Sequence, residues 1–295
     1  VVYIAKPETG TSVSGSSIQS ADAIAGGTFE ASGIAHIPGT DSFLFVDDGK
    51  PGEVLLMQLD NSGKQSGPVK SLSLGVEVDD PEGITTDGSF FYVVGSQSRA
   101  KGLTQPGIVR FKLNKDAHTV EQLQSLGELR KLLVDQVTEL RELGSNNGKD
   151  EAINIEGLAW DPSRGALLLG LRSPVIDGKA VLVPIKMHDA KGSFSNENLE
   201  PGKIETIKIG LGGTGIRSIE YDERQKVFYI IGGAADGQEK TDFKLWEWNG
   251  QVQGGLREIT TFDKKLQPEG VAAGTLAGSN FKVIVFDSSK YLAMQ

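Results

Sequence analysis

A short motif recurs five times along the chain and constrains its fold more than any single residue does. It reads Ser32-Gly33-Ile34-Ala35, Glu82-Gly83-Ile84-Thr85, Glu156-Gly157-Leu158-Ala159, Arg217-Ser218-Ile219-Glu220 and Glu269-Gly270-Val271-Ala272. Each copy leads into a run rich in β-branched and aromatic residues. Self-similarity at a period of roughly 50–60 residues marks a repeat architecture, and all-β units of about that length are propeller blades. Each unit divides into four strand candidates, with turn signals such as Asp87-Gly88 and Asn249-Gly250 between them. The expected fold is all-β: a five-bladed β-propeller forming one domain over residues 17–295, after an N-terminal arm over residues 1–16.

The fifth unit is short of a strand. It offers strands near Glu269–Ala273, Lys282–Phe286 and Tyr291–Met294, and there the sequence stops. A spare strand candidate, Ser17–Ala25, precedes the first unit. If that N-terminal strand completes the last blade, the ring closes and no sheet edge is left free there. A six-bladed ring built partly from Val1–Ala5 is the alternative. One insertion interrupts the pattern between the second and third units. Over Leu129–Leu143 the apolar residues Leu129, Leu132, Leu133, Val137, Leu140 and Leu143 follow helical spacing. This predicts one amphipathic helix lying against the propeller.

Composition removes several function classes. The 295 residues include no cysteine, which excludes disulfides, thiolate metal sites and cysteine nucleophiles. A net charge of -9 without a basic run argues against nucleic-acid binding, which needs clustered Lys and Arg. No stretch approaches the ~18 apolar residues of a membrane span. The Ser-, Gly- and Thr-rich stretch 10–20 resembles an arm behind an exported or anchored N-terminus, so an extracellular or periplasmic location is expected.

Propeller geometry indicates where chemistry would sit. The first residue of each inner strand and the last residues of the next strand meet at one mouth of the central channel. The inner-strand openers are Ser32, Glu82, Glu156, Arg217 and Glu269. The closers are Asp47-Asp48, Ser96-Gln97-Ser98-Arg99, Arg172-Ser173, Gly232-Gly233 and Asp287-Ser288. One funnel should therefore hold several carboxylates and three arginines. Crowded carboxylates raise one another's pKa or recruit a cation, and an all-oxygen donor set suits a hard ion such as Ca²⁺. Arginine offers a planar fork for carboxylate or phosphate. Glu82, Glu156 and Glu269 are the expected metal ligands or water-activating groups. Asp48, Ser96, Gln97, Arg99, Arg172, Arg217 and Asp287 are the expected ligand-binding residues.

A plainer reading stands beside this. The Glu-Gly step would be structural, the arginines would neutralise the glutamates, and Asp48 and Asp287 would be turn residues. His36, His118 and His188 are scattered and form no zinc pattern. There is no Gly-x-Ser-x-Gly elbow. The glycine-rich Gly210–Gly215 precedes a strand rather than a helix, so it is no phosphate cradle.

The chain also resembles a known family. The resemblance rests on Asp80-Pro81-Glu82-Gly83-Ile84, Val93-Val94-Gly95-Ser96-Gln97-Ser98-Arg99, Ile155-Glu156-Gly157-Leu158-Ala159, Leu169-Gly170-Leu171-Arg172-Ser173-Pro174, Gly178-Lys179-Ala180 and Gly215-Ile216-Arg217. These segments resemble the bacterial domain of unknown function 3616, from about Ser32 to Asp287. Gln97 departs from the histidine expected at that place. More distantly, the chain is similar to propellers described as having an esterase-like activity of phytase, and to gluconolactonase and paraoxonase propellers. That likeness implies calcium in or near the channel and hydrolysis of a phosphate ester or lactone. The expected partner is thus a small anionic molecule. A non-enzymatic binding or protein-interaction propeller is the alternative.

Overall fold

The structure, a computed structural model, describes residues 3–5, 17–98, 104–141, 153–251 and 254–295. Two short strands come first, β1 (Tyr3–Ala5) and β2 (Asp22–Ala23). Blade one is β3 (Ala31–His36), β4 (Ser42–Asp47), β5 (Glu53–Gln58) and β6 (Lys70–Ser73). Blade two is β7 (Pro81–Thr86), β8 (Phe91–Gly95), β9 (Ile108–Asn114) and β10 (Thr119–Leu126). Helix α1 (Leu129–Gln136) follows. Blade three is β11 (Asn154–Asp161), β12 (Ala166–Ile176), β13 (Lys179–Ile185) and β14 (Ile207–Ile209). Blade four is β15 (Gly215–Asp222), β16 (Val227–Gly233), β17 (Phe243–Trp248) and β18 (Leu256–Phe262). Blade five is β19 (Pro268–Leu276), β20 (Ser279–Phe286) and β21 (Lys290–Met294).

The described residues form a five-bladed propeller. The inner strands β3, β7, β11, β15 and β19 each touch the next, and β19 touches β3, so the ring closes. Strand β2 pairs antiparallel with β21 and supplies the fourth strand of blade five. Ile18, just before it, bridges to Phe262 of blade four. Closure through the N-terminal strand is therefore as expected, though the strand is shorter than Ser17–Ala25. There is no sixth blade among the described residues. Strand β1 instead pairs parallel with β14 on the outer edge of blade three. The remainder of the arm over residues 1–16 lies outside the described residues.

Apolar side chains alternate along the strands and interlock between adjacent blades. Five buried clusters result, one at each blade interface. Helix α1 plugs the interface of blades two and three with Leu129 and Leu133, both at most 1 % exposed. The helix is shorter than the predicted Leu129–Leu143. Val137 takes extended dihedrals, and the Gln136 carbonyl accepts the Ile204 N–H (2.9 Å) where a continuing helix would place its own donor. Leaving the helix still lets Val137 and Leu140 bury fully in the same cluster. Leu143 lies outside the described residues. Among the described residues, no helix is long and apolar enough to cross a membrane.

The recurring motif has a local structural meaning. The inner hairpin slips register at the same place in every blade: between Ala31 and Gly33, Pro81 and Gly83, Ile155 and Gly157, Ile216 and Ser218, and Pro268 and Gly270. Each slip is a β-bulge, which leaves one residue out of the ladder and re-aims its side chain. The bulged residues are Ser32, Glu82, Glu156, Arg217 and Glu269. The following glycine lets neighbouring inner strands approach backbone to backbone. A Cβ on Gly33 would stand 2.7 Å from the Glu82 carbonyl oxygen, and one on Gly270 would stand 2.9 Å from the Gly33 Cα. In blade four Ser218 replaces glycine, and its Oγ accepts the Val271 N–H at 3.1 Å.

Candidate functional site

The five bulges bring four of the five inner-strand openers into a charged assembly at one mouth of the channel. Ser32 is the exception: its buried hydroxyl donates to the Pro81 carbonyl (2.6 Å) and ties blade one to blade two. On one side of the funnel Arg217, 9 % exposed, is held by two carboxylates. Its Nε lies 2.7 Å from Glu156 Oε2 and 2.9 Å from Glu269 Oε2, and its Nη2 pairs with Glu269 Oε1. Arg172 completes the chain. Its Nη1 donates to Glu156 Oε1 (2.9 Å) and its Nε lies 3.2 Å from Asp236 Oδ1. Asp236 in turn accepts from Asn154 Nδ2 (3.0 Å) and Ser173 Oγ (2.9 Å). Fork-shaped guanidinium donors set against carboxylates make this a connected wall of ion pairs.

The opposite side is acidic. Single carboxylate oxygens of Asp48, Asp80 and Glu82 lie within 4.8 Å of one another. Those of Glu30, Asp47 and Asp48 do the same. Asp47 is fixed by its own turn, accepting the Glu30 N–H (3.1 Å) and the Gly49 N–H (2.9 Å). Asp80 accepts Ser96 Oγ at 2.5 Å, and Ser96 Oγ contacts Ser98 Oγ at 2.8 Å. Ser96 thus orients an acidic side chain.

Burial and mutual repulsion act together on these groups. Burial raises Glu82 well above the usual carboxylate range, reinforced by the charges of Glu156, Asp80, Glu269 and Asp48. Burial also pushes Asp48 up to about 7, with Glu30, Asp80 and Asp287 adding to it. Glu269 is pushed up to about 8 by burial and pulled back by Arg217. Glu156 rises for the same reason, opposed by Arg217 and Arg172. Burial disfavours the Arg217 cation, but Glu156 and Glu269 outweigh that and hold it more firmly protonated.

The expected site residues therefore divide. Glu82 and Asp48 join an oxygen-only cluster, whereas Glu156 and Glu269 are the partners of arginines. Arg172 and Arg217 stand in the funnel wall. Asp287 is half-buried and close enough for its charge to raise Asp48. Gln97 serves α1: its Oε1 accepts the Arg130 N–H (3.2 Å) and its carbonyl accepts Arg130 Nη1 (3.0 Å). Arg99 lies outside the described residues. Sequence reasoning missed Asp80, Glu30 and Asp236. Asp80 carried a signal, since it directly precedes the Pro-Glu-Gly bulge. Asp236 carried none, because it lies in an irregular loop after β16.

The family model described as "Protein of unknown function (DUF3616)" matches residues 103–271, more than half of the chain. The chain belongs to that family. No curated protein matches its sequence. Among solved structures, this family member is similar to a crystal structure of a nidogen/laminin complex, at 13% identity, 89% of this chain, 78% of the other and a TM-score of 0.46. It is also similar to a glucose dehydrogenase (12% identity, 94% and 99% covered, TM-score 0.43). A third is the periplasmic gluconolactonase of Pseudomonas aeruginosa (14% identity, 89% and 67% covered, TM-score 0.39). At such identities the likeness concerns the fold alone.

Proposed function

We propose that this DUF3616 propeller binds a small anionic ligand in its funnel together with a divalent cation, Ca²⁺, held by Asp48, Asp80 and Glu82. One observation carries the reading: single oxygens of these three carboxylates converge within 4.8 Å of one another. The donor set fits the ion. Ca²⁺ takes oxygen ligands at about 2.3–2.6 Å, so any two of its ligand atoms lie within about 5 Å of each other. A cation there would relieve the repulsion that raises Glu82 and Asp48. Bound, it would supply Lewis-acid polarisation of a phosphoryl or lactone oxygen. Arg172, whose side chain is 27 % exposed, is the cationic group best placed to meet the anion.

A second reading, binding without turnover, is favoured by a separate observation. Arg217 is spent on Glu156 and Glu269, and Arg172 on Glu156 and Asp236, so both guanidinium groups already have carboxylate partners. The experiment is metal analysis of dialysed protein, with thermal unfolding in Ca²⁺ and in EGTA. At Ca²⁺ a hundredfold above its Kd the protein should gain about 2.7 kcal/mol, and the variant D48N/E82Q should gain none. Bound metal absent and no shift in the parent overturns the reading. Hydrolysis of p-nitrophenyl phosphate or a simple lactone by the calcium-loaded protein separates a hydrolase from a binding module.

A further inference from the structure

Along the inner strands a hydrogen bond links two blades that are not adjacent in the ring. Thr85 of blade two donates its hydroxyl to Glu220 Oε1 of blade four at 2.9 Å. Blade three lies between them. The Tyr221 N–H also donates to Oε1 (2.9 Å), and the Thr85 hydroxyl accepts the Trp160 N–H (3.3 Å). Beside this contact lies a cavity of about 480 Å³. Its wall is built from the inner hairpins of all five blades, with Pro38, Gly88, Pro162, Arg224 and Thr275 contributed by one blade each.

Glu220 lines this cavity at 5 % exposure. Both of its hydrogen bonds fall on Oε1. Among the described residues no hydrogen bond falls on its Oε2. A buried carboxyl oxygen left over in a roomy cavity is open to a ligand that compensates its charge. The half-buried rings of Trp160 and Tyr221 stand in the same wall.

The balance of charge tells which ligand. His36 of β3 lines the cavity, where burial lowers its pKa against the opposing effect of its Nε2–H bond to the Thr40 carbonyl at 2.7 Å. The turn after β7 contributes Asp87, whose oxygens accept the Ser89 and Phe90 N–H groups and the Tyr92 hydroxyl. Blade four contributes Asp222, Glu223 and Arg224. Glu223 pairs with Lys226 and Arg224 donates to the Gly278 carbonyl. Strands β11 and β19 contribute no titratable group to the wall. Carboxyl groups outnumber the lone arginine, and aromatic faces attract cations.

We propose that this cavity is a second ligand site, specific for a small organic cation, an amine or quaternary ammonium compound, whose charge rests on Glu220 between Trp160 and Tyr221. The inference is independent of the funnel. With the cavity empty, burial pushes Glu220 up to about 8, so it holds its proton at neutral pH. A bound cation favours the carboxylate, so binding releases that proton. Affinity therefore depends on the ionised fraction and should rise about tenfold per pH unit up to pH 8, then level off.

Tetramethylammonium is the probe, because it does not titrate. Calorimetric titration of the full chain in EGTA at pH 6, 7, 8 and 9, with Trp160 fluorescence alongside, measures the effect. Glucose serves as the neutral control. The expected result is saturable tetramethylammonium binding that strengthens about tenfold from pH 6 to 7. The variant E220Q should lose both the binding and its pH dependence. If E220Q folds poorly, E220D should weaken binding while keeping the dependence on pH. Binding that ignores pH, binding of glucose in place of the cation, or no binding of either probe overturns the assignment.

Discussion

Replacing Glu220 with glutamine gives a sharp test of the electrostatics of this propeller. Glutamine keeps an Oε1 that can accept from Thr85 Oγ1 and the Tyr221 N–H, so the change removes one ionisation and little else. The carboxyl is pushed up to about 8, first by burial, against the opposing effect of those two hydrogen bonds. In the unfolded chain it would titrate near its ordinary value of about 4.3. The folded state thus retains a proton that the unfolded state has already lost. Stability from this group is complete below about pH 4 and drains away as pH rises towards 8, at about 1.4 kcal/mol per pH unit. Between pH 5 and pH 8 the parent should lose about 4 kcal/mol that E220Q does not. The funnel carboxylates titrate in both proteins and cancel in the difference, because distant sites are additive. Urea unfolding of both proteins at pH 5, 6, 7 and 8 measures this. In thermal unfolding the gap should widen by roughly 8 °C over the same range, at about 2 °C per kcal/mol for a chain of this size. Parallel stability curves from pH 5 to 8 would refute the reasoning, since they would mean that Glu220 is ionised inside the folded protein.

Two other perturbations follow from the funnel and its ring of bulges. R217M strips the cation from two buried carboxylates and should cost about 3–5 kcal/mol in urea unfolding at pH 7, while R217K should recover part of it; an unchanged midpoint would show that Glu156 and Glu269 do not need Arg217. G270A places a Cβ 2.8 Å from Val285 Cγ2 and 2.9 Å from the Gly33 Cα, and should cost about 1–3 kcal/mol. Its control is G52A, where the new Cβ meets nothing nearer than 3.8 Å, and which should be neutral or slightly stabilising. Equal losses in the two glycine variants would contradict the close approach of the inner strands.

The legible part of this protein is periodic. A motif that returns five times needs no partner information, so blade number and the closing role of the N-terminal strand could be read directly. The pattern also pointed to Glu82, Glu156, Arg217 and Glu269 as equivalent positions, and the bulge shows why: each blade slips one residue there. What the pattern could not supply is pairing across the ring. Glu82, Glu156 and Glu269 look alike in sequence, yet two of them take arginine partners and the third faces Asp48 and Asp80. The helix over Leu129–Leu143 was overextended because apolar spacing continues past the point where Ile204 claims the Gln136 carbonyl.

The sequence by itself determined the repeat, the strand alternation, the closing strand and the residue type at each bulge, because these depend on neighbours within a few positions along the chain. Only the tertiary structure decided which charges meet, how deeply each is buried, and that Thr85 and Glu220, 135 residues apart, share a hydrogen bond. Coulomb energy and desolvation depend on distance and burial in three dimensions, and neither is written in spacing along a chain.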